Sequence, residues 1–153
     1  MKEIAVILGS KSDLPQVETG LAALDEFSVI YELKILSVHR DSSELKKYAS
    51  SLEKKGVKVV IACAGLSAAL PGVVSSYVNL PVIGVPLYSK SFEGIDSLLS
   101  ILQMPKGIPV GTMTVGPAGA VNAALMAVRI LALKDKRLSG KLKKYKLKLR
   151  AGK

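Results

Sequence analysis

The chain is poor in the residues from which metal centres and disulfides are built. Its 153 residues include one cysteine and one histidine. Cys63 has no internal disulfide partner, and its place in an apolar run reads as a small buried hydrophobe rather than a reactive thiol. One histidine and one cysteine do not make a zinc ligand set, so no metal is expected. Long apolar runs are missing too. Stretches such as Val57 to Leu70 are too short and too interrupted to span a membrane. No charged segment followed by a long apolar one precedes Ile4-Ala5-Val6-Ile7-Leu8, so a signal peptide is not read and the cytoplasm is expected. Internal repeats, Pro- or Ser-rich linkers and low-complexity blocks are also absent. With 49% apolar and 22% charged residues, disorder and coiled coil are excluded.

What is present in excess is positive charge, and it is concentrated. The formal net charge is +10, yet the segment from Lys134 onward holds ten Lys or Arg against one acid, Asp135. That segment carries +9, which leaves the preceding 133 residues at +1. Leu138, Leu142, Tyr145 and Leu149 recur there at helical spacing with lysines between them. The pattern describes a basic amphipathic helix lying on the body or on a neighbouring subunit. Nucleic-acid binding through clustered Lys and Arg is the weaker reading.

Short apolar runs alternate with helical patterns along the rest of the chain, as in a parallel sheet covered on both faces. Strands are expected at Ile4–Leu8, Val29–Leu36, Val57–Cys63, Val82–Val85 and Val110–Thr112. Helices are expected over Leu14–Phe27, with Asp13 as N-cap and Pro15 in the first turn, and over Ser43–Lys55. Others are expected after Leu66, after Gly94 and over Pro117–Ala132. The expected fold class is α/β: a three-layer αβα, flavodoxin-like or Rossmann-like parallel sheet with a C-terminal basic amphipathic helix. Residues 1–135 form the α/β domain, and 136–153 a basic helix or tail of that same domain.

Sheets of this kind bind ligands beyond the carboxyl ends of their strands, where the strand order reverses. The loop Gly9-Ser10-Lys11-Ser12-Asp13 follows the first strand and opens a helix. Gly9 allows a tight turn, free N–H groups at a helix start suit a phosphate, and two hydroxyls add donors. By spacing alone the segment reads equally well as an ordinary helix cap. It is neither a Walker motif nor a dinucleotide fingerprint. His39, between Ser37 and Arg40 at the end of the second strand, suits acid–base work near neutral pH. Arg40 suits a two-pronged contact with phosphate or carboxylate. Composition alone favours a surface histidine beside a solvated arginine. A Ser-His-Asp hydrolase would want Gly-x-Ser-x-Gly, which is missing. The glycine- and alanine-rich stretches Ala62–Gly72 and Gly116–Ala124 suit close helix packing better than close ligand approach.

In order and spacing, several segments resemble one family along nearly the whole chain up to about Asp135. They are Gly9-Ser10-Lys11-Ser12-Asp13, Ser37-Val38-His39-Arg40, Leu70-Pro71-Gly72 and Leu80-Pro81-Val82-Ile83-Gly84-Val85-Pro86. Gly94 to Pro105, Gly107-Ile108-Pro109-Val110 and Ala118 to Ala124 complete the set. The family is that of the N5-carboxyaminoimidazole ribonucleotide mutases and the related aminoimidazole ribonucleotide carboxylases of purine synthesis. The resemblance implies a flavodoxin-like subunit in a D4 octamer, with active sites at subunit contacts and no metal, biotin or ATP. It implies that His39 transfers protons and that a ribonucleotide phosphate sits around Ser10, Asp13 and Arg40. Gly9, Ser12, Ser37, Gly65 and Ser67 complete the expected substrate-binding set.

One segment departs from the mutase pattern. Mutases commonly have Gly-Gly-Ala-Ala-His-Leu-Pro-Gly where this chain has Gly65-Leu66-Ser67-Ala68-Ala69-Leu70-Pro71-Gly72. Direct carboxylases have a loop nearer Gly-Arg-Ser-Asn-Ala-Leu, which shares Ser67 and Ala69. They usually carry lysine after the active-site histidine, however, and here that residue is Arg40. The resemblance as a whole implies the mutase, which moves a carboxyl group from nitrogen to carbon. Direct carboxylation with free carbon dioxide is the alternative.

Overall fold

Residues 2–152 are described by a computed structural model; Met1 and Lys153 lie outside the described residues. Eleven strands and helices alternate along most of the chain. They are β1 (Ile4–Leu8), α1 (Leu14–Glu26), β2 (Tyr31–Ile35), α2 (Ser42–Ser51), β3 (Val59–Ala64), α3 (Leu70–Ser75), β4 (Val82–Pro86), α4 (Ile95–Leu102), β5 (Gly111–Thr112), α5 (Pro117–Ala132) and α6 (Lys136–Arg150). A 3-10 turn at Lys11–Asp13 leads into α1. The strands are all parallel in the order β2-β1-β3-β4-β5. This is the expected flavodoxin-like α/β architecture.

The uninterrupted apolar runs become the central strands, because a strand covered on both faces has no polar side to show. Every residue of β1, β3 and β4 is buried. Alternation then divides them between two cores. Ile4, Val6 and Leu8 pack toward α1, α5 and the start of α6, whereas Ala5 and Ile7 pack toward α2, α3 and α4. The outer strand β2 is polar enough to face water at its rim. Its Glu32 meets Lys2 at 3.1 Å and accepts a hydrogen bond from the Tyr48 hydroxyl at 3.2 Å.

Several boundaries differ from expectation. Strand β2 is shorter than the apolar run Val29–Leu36, because Val29 closes the turn after α1 through its N–H to the Leu24 carbonyl. Helix α2 ends at Ser51, ahead of a turn at Gly56 with φ of +83°. The helix expected after Leu66 starts only at Leu70, and β5 keeps just two residues. Asp13 is not a side-chain N-cap of α1. It holds the N-cap position, but its Oδ2 accepts from the Ser10 N–H at 3.0 Å, closing a capping box on the preceding 3-10 turn, whose own N-cap is Ser10.

Helix α6 begins at Asp135, whose carboxylate accepts from the N–H groups of Arg137 and Leu138. Leu138 is fully buried, and Leu142 and Tyr145 continue its seam onto the body. The Tyr145 ring lies 5.7 Å from that of Phe27, and Lys141 Nζ donates to the Phe27 carbonyl at 2.9 Å. The seam overruns the body at its end, where Leu147 and Leu149 are exposed.

The small residues of α5 are used for packing, as expected. Ala120, Ala123 and Ala124 are buried in the core, and Gly20 of α1 lies against the backbone of Ala120. A Cβ at Gly20 would stand 2.7 Å from the Ala120 carbonyl oxygen, so the two helices would have to separate. Alanine normally gains about 1 kcal/mol over glycine inside a helix. Overpacking costs about 1–3 kcal/mol. Since the obstacle here is backbone, the loss outweighs the gain. Gly20→Ala is therefore expected to lower the urea midpoint with an unchanged slope.

Candidate active site

The strand order reverses between β1 and β3: β2 lies on one side of β1 and the chain continues to β3 on the other. Beyond the carboxyl ends of these strands opens a cleft of about 730 Å³. Four loops line it, those after β1, β2, β3 and β4. All nine residues singled out from the sequence meet there: Gly9, Ser10, Ser12, Asp13, Ser37, His39, Arg40, Gly65 and Ser67.

The loop after β1 is anchored by the Gly9 N–H, which donates to the Cys63 carbonyl of β3 at 3.3 Å. Its other N–H groups are mostly engaged within the loop. Ser10 N donates to Asp13 Oδ2, Ser12 N to Ser10 Oγ at 3.3 Å, and Asp13 N to the Ser10 carbonyl at 3.2 Å. An anion here would therefore meet mainly side chains. The Ser10 and Ser12 hydroxyls lie 2.8 Å apart and share one hydrogen bond. Arg40 crosses from the next loop, its Nη2 donating to the Gly9 carbonyl at 3.4 Å. Burial raises the Asp13 carboxyl above its usual range, against the opposing effects of the Ser10 N–H and the Arg40 charge.

His39 stands on a tight turn after β2. Ser37 N donates to Asp41 Oδ2 at 3.2 Å, and Asp41 N donates to the Ser37 carbonyl at 2.8 Å. These reciprocal bonds close the turn beneath His39 and Arg40, which are both exposed toward the cleft. Ser37 itself is buried. An imidazole in a cleft that also holds a guanidinium and serine hydroxyls can exchange a proton with a ligand bound there.

The loop after β3 carries backbone strain. Leu66 has φ of +54° and Ala68 has φ of +26°, in the left-handed region that favours glycine. The Leu66 side chain is 59% exposed and lines the cleft with Ala69. Ala62–Gly72 thus serves both purposes, as its first residues fill the sheet and Ala64 to Leu70 border the cleft. Gln16, Tyr88 and Ser89 also line it, and of these only Gln16 lies outside the strand-end loops in which the sequence places the chemistry. The loop after β4 was visible as a strand end; Gln16, inside a helix, gave no such signal. Among the described residues, no three His, Cys, Asp or Glu side chains cluster to hold a metal.

Fold and cleft together define a doubly wound α/β protein with a histidine- and arginine-lined cleft at its switch point. A model of the AIR carboxylase family matches residues 3–151. The chain belongs to that family. It is 49% identical over 145 residues to an N5-carboxyaminoimidazole ribonucleotide mutase of Saccharolobus solfataricus, covering 95% of this chain and 90% of the relative. The mutase of Vibrio parahaemolyticus is 46% identical over 144 residues, 94% of this chain and 89% of that one. The crystal structure of Treponema denticola PurE superposes with a TM-score of 0.89 at 31% identity, covering 97% of this chain and 92% of that one.

Proposed function

We propose that the protein is an N5-carboxyaminoimidazole ribonucleotide mutase, an isomerase of purine synthesis that converts the carbamate to 4-carboxy-5-aminoimidazole ribonucleotide. One observation carries the reading: His39, Arg40, Ser10, Ser12 and Asp13 converge on one switch-point cleft in a chain of this family. Ser10, Ser12 and Arg40 take the phosphate, with Asp13 bracing Ser10. Gly9, Ser37, Gly65 and Ser67 complete the contact surface. The carbamate C–N bond breaks, carbon dioxide is released, and the nitrogen gains a proton. The ring carbon then bonds to the carbon dioxide and loses its proton. One proton given and one taken leave the balance unchanged, so a single acid–base side chain, His39, serves both steps. A closed pocket holds the carbon dioxide beside the carbon it must meet. The test is to give the purified protein the carbamate ribonucleotide and follow product absorbance. A rate equal to the uncatalysed one would overturn the assignment.

Direct carboxylation of aminoimidazole ribonucleotide by free carbon dioxide is the second reading, and its support is the departure of Leu66, Ser67 and Ala69 from the mutase loop pattern. Either reaction uses phosphorylated substrates, which do not cross membranes unaided, and so suits the cytoplasm. Among the described residues no helix is long and apolar enough to cross a membrane.

The assembly belongs to the same proposal. His39 and Arg40 are exposed in a single chain, whereas trapping carbon dioxide needs a covered site. Phe92, Ile95, Leu99 and Leu102 form an exposed apolar stripe on and before α4 that asks for a partner. We read a homo-octamer, eight copies of a 16.2 kDa chain or about 130 kDa in sedimentation. Leu99→Glu is expected to lower that mass. The basic tail, as part of the same domain, serves stability and assembly rather than nucleic acid. Truncation after Lys134 removes the buried Leu138, a loss of about 2–5 kcal/mol by itself. An unchanged melting temperature and mass in the truncated protein would assign the tail another use.

A further inference from the structure

Tyr88 is held in an unusual way for a residue on a loop. Gln16, one turn into α1, pairs with its backbone through both ends of the side-chain amide. Gln16 Nε2 donates to the Tyr88 carbonyl at 3.1 Å, and the Tyr88 N–H donates to Gln16 Oε1 at 2.8 Å. The pairing imitates one rung of a sheet across 72 residues of chain. Just before it, Leu87 is fully buried, its N–H donating to the Ala64 carbonyl at 2.9 Å. The Leu87 carbonyl accepts from Ser97 Oγ at 2.8 Å. The backbone of Tyr88 is thereby fixed from both sides, yet the residue is 50% exposed and is one of those lining the cleft.

A side chain that only covered a surface would need no such anchor. A tyrosine on a fixed backbone has two rotatable bonds left, so it offers a large flat face at small entropic cost. The rest of the cleft supplies hydroxyls, a carboxylate, a guanidinium and an imidazole beside aliphatic side chains such as Val38, Leu66 and Leu70. Among the described residues that line it, Tyr88 carries the only benzene ring. We propose that Tyr88 is the wall against which the substrate's heteroaromatic ring packs, with Gln16 as its positioning residue. The inference rests on the aminoimidazole ribonucleotide reading above.

The test compares two probes on the full-length protein by titration calorimetry: aminoimidazole ribonucleotide, and ribose 5-phosphate, which has the phosphate without the ring. The wild type is expected to bind the ribonucleotide roughly tenfold or more tightly than the sugar phosphate, as aromatic stacking allows. Tyr88→Ala should remove most of that ratio by weakening the ribonucleotide alone, and Tyr88→Phe should keep it. Gln16→Leu should reduce the ratio, and adding it to Tyr88→Ala should change nothing further, because the two act through one ring. A wild type that binds the ribonucleotide selectively beside an equally selective Tyr88→Ala would overturn this inference alone. Loss of assembly in Tyr88→Ala with the ratio intact would overturn it too, making Tyr88 an interface residue. A wild type with no preference for the ribonucleotide would remove the functional reading and this inference with it.

Discussion

Purified His39→Asn protein is expected to lose turnover by about 10²–10⁴-fold, the usual cost of removing a general acid–base group. Binding of the ribonucleotide should stay close to that of the wild type. His39 sits exposed at the tip of a turn that Ser37 and Asp41 close between themselves, so the turn does not depend on the imidazole. Ser10, Ser12 and Arg40, the groups proposed to take the phosphate, remain in the cleft. Asparagine keeps much of the shape and a hydrogen-bonding edge but has no proton to exchange near pH 7. The loss should therefore fall on kcat rather than KM, with melting temperature unchanged. Single-turnover rates and a calorimetric titration separate the two. Near-normal turnover would remove His39 from the chemistry. A rise in KM at constant kcat would make it a binding residue instead.

The fold was legible wherever one physical cause acted alone. Ile4–Leu8 is apolar from end to end and became β1 with the expected bounds, because nothing but burial on both faces suits such a run. Pro117 marks the start of α5 for a similar reason, since proline fits only the first turn of a helix. Boundaries failed where the deciding partner was distant. Val29 and Ile30 look like strand residues, yet the Ile30 carbonyl meets Glu3 while Val29 turns back to Leu24. Asp13 does stand at the N-cap position of α1, but its carboxylate turns back to the Ser10 N–H instead of capping that helix.

The site divides along the same line. The residues at strand ends were found because the fold class says where strands deliver their ligands. All nine arrived in the cleft, since each lies on a loop whose position the sheet order dictates. Gln16 was invisible, as its role exists only through Tyr88, far along the chain. The left-handed backbone at Leu66 was hidden as well. A leucine gives no hint of positive φ, whereas a glycine there would have.

Supplied with the carbamate ribonucleotide and no bicarbonate, the protein is expected to form product at least about 100-fold faster than from aminoimidazole ribonucleotide with bicarbonate, a gap of about 2.7 kcal/mol. The argument turns on what the cleft must hold. A mutase receives carbon dioxide already inside, next to the ring carbon, and gains from that proximity. A direct carboxylase must capture it from solution, which asks for an additional group to bind the free molecule or its bicarbonate source. Arg40, the sole Lys or Arg lining the cleft among the described residues, is already turned toward the Gly9 carbonyl of the loop after β1. The loop after β3, across β1 from the loop that carries Arg40, brings Leu66 and Ala69, neither of which offers a side-chain donor. Leu66 narrows the space at the cost of a strained backbone, and such strain persists where the surroundings require the side chain. A bulky apolar residue there favours retention of a small neutral molecule over recruitment of bicarbonate. Leu66→Gly should relieve the strain, raise stability slightly, and let carbon dioxide escape, so that aminoimidazole ribonucleotide accumulates from the carbamate. Initial rates on both substrate sets, for wild type and Leu66→Gly, decide the matter. Product from the bicarbonate mixture alone would make the protein a direct carboxylase, with Leu66 shaping the entry of carbon dioxide instead of its retention.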